Sequence, residues 1–321
     1  MEKYCLIPQP IHPCGIERLR AHGITPAVGV EACRAAPADR VVAAIYRSGQ
    51  FSRTEMAQLP SLCAIGVHGV GIDGIDVDAA DALGIAVFNT PEMNTRSVAE
   101  HALALMFALT KRIPAADSAL RTGHFAFKYE GGLRELQDAQ LGVIGFGAIG
   151  RATATLARGL GMQVQVLTRR PVADIAAMGL RQADSLSALL ANSDIVSLHL
   201  PSLPETRHII DARALAQMKL SAYLINTSRG ALVDEAALAD ALTRGAIAGA
   251  GLDVFQQEPV LRDNPLLGLP NVVLTPHIAA STEQAMTRMA NAAVDGVLRV
   301  LAGEPPASLV NPAVWPRRRQ P

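Results

Sequence analysis

The stretch that most constrains the fold is residues 141–151, Leu-Gly-Val-Ile-Gly-Phe-Gly-Ala-Ile-Gly-Arg. Leu141, Val143 and Ile144 make the short apolar run that a buried parallel strand needs. Gly145, Gly147 and Gly150 follow in a G-x-G-x-x-G pattern. The first glycine permits a tight turn out of the strand, and the second leaves room for a pyrophosphate. The third lets the next helix pack close to the sheet. A helix starting near Ala148 and Ile149 would point its unpaired N–H groups at the phosphate. Glycine is common here, 26 residues in all, so the pattern alone is weak. Its context is stronger. A helical stretch at 151–160 ends at Gly161, and a second apolar run follows at 164–167. The spacing predicts a dinucleotide-binding strand-helix-strand unit.

A chain of 321 residues suggests two domains, because single cores rarely grow past about 250–300 residues. Half the residues are hydrophobic but only 4% are aromatic, so aliphatic and alanine packing must dominate, as in α/β proteins. The 29 basic and 29 acidic side chains cancel, which gives no electrostatic case for nucleic acid or an anionic membrane. With no long apolar run and no basic-then-apolar leader, the expectation is a cytoplasmic protein without a membrane segment. Cys5, Cys14, Cys33 and Cys63 form no C-x-x-C pair and read as isolated thiols in a reducing compartment. No metal site is expected. Arg317, Arg318 and Arg319 read as a solvated tail.

Before the glycine turn, strand signals fall at 4–7, 41–46, 63–67 and 85–88. After the third comes His68-Gly-Val-Gly-Ile-Asp73, whose backbone N–H groups suit a small anion. A plain turn fits the spacing equally well. Ser97-Val-Ala-Glu100 fits a capping box ahead of a helix with Val98, Ala102, Leu105, Met106 and Leu109 on its apolar face. That helix should end before Pro114, and His101 on it reads as structural. Later strands are expected at 195–200, 222–226, 247–253 and 272–275, with Asp234 capping a helix at 235–244. Ser281-x-x-Gln284 opens a last long helix, and a Pro-rich tail at 304–316 returns to the first domain. Such alternation implies parallel, doubly wound sheets. The expected division is 1–96, 97–284 and 285–321, the middle part binding the dinucleotide.

Ligands of doubly wound sheets bind beyond the carboxyl ends of the strands. Arg229, Glu258 and His277 each follow a strand in the second half. Delivering a hydride to a carbonyl requires a proton donor for its oxygen and a cation for a neighbouring carboxylate. His277 suits the first task, since its pKa lies nearest neutrality, and Glu258 would raise that pKa. Arg229 suits the second. Residue type alone leaves surface ion pairs and a core histidine as alternatives.

The ordered motifs then carry a resemblance. They are His68-Gly-Val-Gly-Ile-Asp-Gly-Ile-Asp76, Asn89-Thr-Pro, Ser97-Val-Ala-Glu-His101, Gly142 to Gly150, His199-Leu-Pro, Asn226-Thr-Ser-Arg-Gly230, Gly251-Leu-Asp-Val-Phe255, Glu258-Pro259 and Thr275-Pro-His-Ile-Ala279. The chain resembles the D-isomer-specific 2-hydroxyacid dehydrogenases, the group of phosphoglycerate dehydrogenase, glyoxylate/hydroxypyruvate reductase and D-lactate dehydrogenase. The resemblance implies a Rossmann-type cofactor domain inserted into a flavodoxin-like substrate domain, and homodimers joined through the cofactor domains. It implies Arg229 as substrate contact, His277 as acid/base, Glu258 as its partner, and Val70 and Gly71 as N–H donors to the substrate carboxylate. Leu200, Thr227, Ser228, Asp253 and Ala279 are implied as further coenzyme contacts.

Two departures from the family pattern matter. Many NAD-using members end the second strand on an acidic residue, where this chain reads Thr168-Arg169-Arg170. A hydroxyl and two guanidiniums would welcome a 2′-phosphate, so NADP is expected, with NAD as the alternative. Few residues follow the last helix, so serine-type allosteric control is not expected. The resulting expectation is a reductase of small 2-keto acids such as glyoxylate or hydroxypyruvate, giving D-2-hydroxy acids. A phosphoglycerate dehydrogenase-like enzyme for a phosphorylated or sulfonated acid is the alternative, with His68, Arg47 and Arg96 as candidate grips. A dinucleotide-sensing binding protein is a third reading, from another class.

Overall fold

The computed structural model describes residues 2–169 and 175–320. The chain divides into two units, Met1–Asn94 with Ala280–Pro321, and Thr95–Ala279. The sequence reading set these boundaries at 96/97 and 284/285.

The first unit holds β1 (Lys3–Ile7), β2 (Ile24–Val28), β3 (Val41–Tyr46), β4 (Ala64–Val67) and β5 (Ala86–Phe88). All pair in parallel, in the order β2-β1-β3-β4-β5, which is the flavodoxin-like order. β2 carried no strong signal because Thr25 and Pro26 interrupt its apolar residues, but it sits at the sheet edge, where a proline is tolerated. The helix Glu283–Leu301 closes this core with Ala290, Ala293, Val294 and Val297, all fully buried. Thr282, one residue beyond the expected Ser281, caps it by accepting from Ala285 N–H. The tail returns to this unit as expected: Val310 N–H donates to Val87 O at 2.7 Å, and the Asn311 side chain bonds Val87 N–H and Ile85 O, both at 2.9 Å.

The three terminal arginines are not a solvated tail. Arg317 pairs with Asp81, Arg318 lies over the Trp315 ring, and Arg319 donates to the carbonyls of Leu59, Pro60 and Leu62. Planar guanidiniums with several donors satisfy turn carbonyls that would otherwise need water.

The second unit holds β6 (Gln140–Ile144), β7 (Gln163–Leu167), β8 (Arg181–Gln182), β9 (Ile195–Leu198), β10 (Tyr223–Asn226), β11 (Gly249–Leu252) and β12 (Val272–Leu274). All are parallel, in the order β12-β11-β10-β9-β6-β7-β8. Counted from β6 outward, this is the Rossmann order, and the switch point lies between β6 and β9. Asp234 caps the helix Glu235–Thr243 as expected, accepting from Ala237 N–H at 3.1 Å.

One local reading, the cap at Ser97, is corrected by the structure, while that helix ends before Pro114 as expected. The helix expected to be capped at Ser97 spans Thr95–Thr110, so Ser97 lies inside it. Its hydroxyl donates to Ala279 O at 2.5 Å, and Glu100 pairs with Arg96 at 2.5 Å instead of completing a capping box. Ser97 is buried against the protein, so its hydroxyl had a tertiary partner to satisfy. Pro114 marks the start of a new helix, Ile113–Arg121, where its missing N–H costs nothing.

Candidate active site

The glycine turn leaves β6 at the switch point. Gly145 has φ of +94°, and a Cβ there would lie 2.5 Å from His199 O. A Cβ on Gly150 would lie 2.2 Å from Gly145 O, so turn and helix meet with no space for a side chain. Gly147 faces open space. It is the N-cap of the helix Ala148–Gly159 and offers no side-chain cap, and the first turn carries no acidic residue. The N–H groups opening that helix therefore suit an anion.

The neighbouring strand ends complete the cradle. Thr227, just past β10, is buried, and its hydroxyl has no partner among the described residues. A buried hydroxyl in that state calls for a ligand or water. Ser228 donates to Leu200 O at 2.5 Å. Thr168 and Arg169 follow β7, and Arg169 is exposed in an ion pair with Glu205 at 3.0 Å. Arg170 lies outside the described residues. Asp253 is wholly buried, with its carboxylate taken by Thr275 Oγ1, Ile278 N–H and Ala279 N–H. These features fit a dinucleotide with its pyrophosphate at the glycine turn.

Arg229, Glu258 and His277 follow β10, β11 and β12 in the same sheet, which makes them neighbours. Asn226 shapes the first loop, accepting from Ser228 N–H at 3.0 Å and donating to Arg229 O at 2.8 Å. Arg229 Nη1 donates to Ser228 O at 2.7 Å. A Cβ on Gly230 would fall 1.9 Å from Phe255 C, so its absence lets the Arg229 loop lie directly on the loop leading to Glu258. Glu258 then spends both oxygens: Oε1 accepts from Phe255 N–H at 3.0 Å, and Oε2 meets His277 Nδ1 at 2.7 Å. A carboxylate only accepts, so Nδ1 carries the proton and Nε2 is left for chemistry.

The pair shifts both pKa values. For His277, the Glu258 hydrogen bond raises the pKa; burial opposes it, the Glu258 and Asp253 charges add to the rise, and Arg229 lowers it. The net direction is above the ordinary 6.5. For Glu258, burial works against ionisation, but the His277 hydrogen bond and charge, the Phe255 N–H and Arg229 outweigh it and hold the carboxyl below its usual range. The His277 side chain remains 52% exposed, so it is reachable. His199 differs, since burial pushes its pKa down to about 4, and it is not a proton donor at neutral pH.

In the first unit, β4 ends on the loop that holds Val70 and Gly71. Gly69 N–H donates to Thr90 Oγ1 at 2.9 Å, and Asn89 Nδ2 donates to Val70 O at 2.8 Å. Among the described residues, the Val70 and Gly71 N–H groups meet no protein acceptor. Sequence reasoning missed Glu205, the Phe255 N–H and the reason for Gly230, since only the fold brings these groups to their partners.

A proton-carrying histidine set by a carboxylate, in a sheet whose switch point takes a dinucleotide, is the equipment of a nicotinamide-dependent oxidoreductase. Residues 103–279 match the family model for "D-isomer specific 2-hydroxyacid dehydrogenase, NAD binding domain", and the chain belongs to that dehydrogenase family. It is 42% identical over 264 residues to a glyoxylate reductase of Thermofilum pendens, covering 81% of this chain and 78% of that protein. A D-3-phosphoglycerate dehydrogenase of Methanocaldococcus jannaschii is 39% identical over 271 residues, covering 83% of this chain and 51% of that protein. The chain thus spans about half the length of that dehydrogenase. Among solved structures, the NADPH-dependent glyoxylate/hydroxypyruvate reductase of Sinorhizobium meliloti, in complex with NADP and malonate, superposes with a TM-score of 0.85 at 31% identity and 100% coverage of both chains.

Proposed function

We propose that this protein reduces small, unphosphorylated 2-keto acids such as glyoxylate and hydroxypyruvate to D-2-hydroxy acids, with NADPH preferred. The observation that carries the reading is the 2.7 Å contact between Glu258 Oε2 and His277 Nδ1, which leaves a raised-pKa imidazole with Nε2 to give a proton. The coenzyme, when bound, supplies the hydride. Arg229 pairs with the substrate carboxylate and draws electron density toward the carbonyl oxygen. Protonated His277 gives its Nε2 proton to that oxygen as charge builds there, and Glu258 stabilises the imidazolium beforehand. In the reverse direction, neutral Nε2 takes the hydroxyl proton. Val70 and Gly71 offer backbone N–H donors to a carboxylate.

Two of the three candidate grips for a phosphate argue for an unphosphorylated substrate. His68 is only 3% exposed, and burial, with Arg47 nearby, pushes its pKa down to about 4, so it is neutral. Arg47 commits Nη1 to Pro10 O and Nη2 to Ser281 Oγ, whereas Arg96 is held only by an exposed pair with Glu100. The NADP preference is supported by Arg169 at the end of β7 and the absence of a carboxylate at 167–170. We also place the active form as a homodimer through the cofactor domain. Leu120, Phe125, Tyr129 and Leu133 are exposed on that unit, with Tyr129 at 80%. An apolar patch of this kind is unusual on a monomer. Four free thiols suit a reducing cytoplasm.

A panel of glyoxylate, hydroxypyruvate, pyruvate and 3-phosphohydroxypyruvate with both coenzymes tests the reading. Faster turnover of the first two with NADPH is the expected result. Best activity on the phosphorylated acid, or none on any keto acid, would overturn it.

A further inference from the structure

Two residues on one helix turn grip both ends of the segment that carries His277. Ser97 and His101 stand four residues apart on the helix Thr95–Thr110 and so share a face. Ser97 Oγ donates to Ala279 O at 2.5 Å, and His101 Nε2 lies 2.9 Å from Thr275 Oγ1. Between these anchors runs Thr275-Pro-His-Ile-Ala279. Neither Ser97 nor His101 has a part in the chemistry described above, and the capping role the sequence suggested for Ser97 is not the one it fills.

Asp253 completes the arrangement from inside. Its Oδ1 accepts from Thr275 Oγ1 at 2.5 Å and Ile278 N–H at 2.9 Å, and its Oδ2 accepts from Ala279 N–H at 2.9 Å. Its backbone carbonyl accepts from His277 N–H at 2.8 Å. The direction of the remaining bond follows from counting protons. The Thr275 hydroxyl has one proton and gives it to the carboxylate, so toward His101 it can only accept. His101 Nε2 therefore carries the N–H. That same N–H end lies 3.5 Å from Asp253 Oδ1 and faces a carboxylate with no exposure to water.

The held segment is one that needs holding. His277 has φ of +53°, a left-handed conformation that a non-glycine residue keeps only when its surroundings fix it. Its Nδ1 must also stay on Glu258 for the Nε2 proton to be available.

We propose that His101 is a positioning residue for proton transfer: through Thr275 and Asp253, with Ser97 at the other end, it keeps His277 aligned on Glu258. The inference rests on the reading of His277 as the proton donor. The groups that face His277 are Glu258 and Asp253, which raise its pKa, and Arg229, which lowers it. Loosening the clamp weakens the largest of these influences, the Glu258 hydrogen bond. The pKa of His277 then falls, and the alkaline limb of the reduction profile moves to lower pH. A residue that merely supported the fold would lower thermal stability and leave that limb in place.

The test measures kcat and KM for glyoxylate reduction against pH, together with thermal unfolding and the Kd for NADPH by fluorescence. His101→Leu removes the N–H at similar volume, and His101→Gln returns an N–H at similar reach. Thr275→Val cuts the same link from the other side. A reacting group displaced by about 1 Å costs about 10²-fold, so His101→Leu and Thr275→Val should each lose about tenfold to a hundredfold in kcat. Both should shift the limb to lower pH, with KM and the NADPH Kd little changed. His101→Gln should restore limb and rate. The double variant His101→Leu/Thr275→Val should be no worse than either single change, because one link is broken in each. An unmoved limb in His101→Leu, or a His101→Gln protein as impaired as His101→Leu, overturns the proposal. If His101→Leu does not fold, Ser97→Ala loses a single hydrogen bond and carries the same expectation for the limb, and an unmoved limb there is equally fatal. A His277→Ala protein with near-normal rate would sink the reading of His277 itself, an outcome separate from failure of the clamp.

Discussion

Gly230→Ala isolates the contact that joins the Arg229 loop to the Glu258 loop. The added Cβ would sit 1.9 Å from Phe255 C, 2.0 Å from Phe255 O and 2.4 Å from Gln256 N, all backbone atoms. Ordinary contact begins near 3.4 Å, so the two loops must part by about 1.5 Å, more than the 1 Å that typically costs about 10²-fold. Backbone strain does not confuse the result, because φ of Gly230 lies outside the left-handed region and the residue opens a short helical turn, Gly230–Leu232. Arg229 and the Phe255 N–H that holds Glu258 sit on either side of the contact, so both would shift. The expected outcome is a fall of at least about 10²-fold in kcat/KM for glyoxylate, larger than any change in the NADPH Kd. Steady-state reduction assays with a fluorescence titration of coenzyme would measure both. A folded Gly230→Ala protein with near-wild-type kcat/KM would show that the close approach does not align the site.

Reduction needs protonated His277, so its rate should fall as pH rises through that raised pKa, while oxidation of the hydroxy acid rises over the same range. Glu258→Gln removes the charged partner whose hydrogen bond does most to raise the His277 pKa and should move the limb to lower pH, whereas His277→Ala should lose about 10²–10⁴ in rate. Arg229→Lys keeps the charge and loses the planar fork; it should retain coenzyme binding and lose most of kcat/KM, and retained activity with lost coenzyme affinity would contradict the role. Arg169→Ala should raise the NADPH Kd far more than the NADH Kd. Glu205→Gln removes the carboxylate at 3.0 Å that competes with a phosphate, and should tighten NADPH by up to about fivefold, since exposed pairs contribute little. Weaker NADPH binding in Glu205→Gln would reverse that assignment.

Several central strands were legible because they are buried on both faces and read as short apolar runs, as Val41–Tyr46 and residues 223–225 do. β2 and β8 were not, because edge strands need no such run: one contains Pro26, the other is only Arg181–Gln182. The residues of the candidate site were legible through their place after strands. Their supports were not, since Phe255 N–H and the Gly230 contact have no side-chain signature. Ser97 shows the limit most plainly. S-x-x-E is a real local signal, but a buried hydroxyl follows the nearest buried carbonyl, and that belongs to Ala279, far along the chain. Arg317 and Arg319 failed for the same reason, their partners Asp81 and the carbonyls of Leu59, Pro60 and Leu62 being tertiary neighbours.

The first unit is assembled from two stretches that are synthesised at different times. Residues through Asn94 leave the ribosome well before the helix Glu283–Leu301, yet that helix supplies Ala290, Ala293, Val294 and Val297 to their core. Phe88, 1% exposed in the finished protein, seats its ring between Gly66 of β4 and Gly296 of that helix, and until the helix is made has only the first of these to lie against. The segment Thr95–Ala279 is continuous and pairs every one of its strands internally, so it can be complete while the sheet before it still waits. Topology thus sets the order of assembly, with the inserted unit maturing first. A half-made chain presents one bare apolar sheet face, and that face is where a chaperone would hold it and where aggregation would begin.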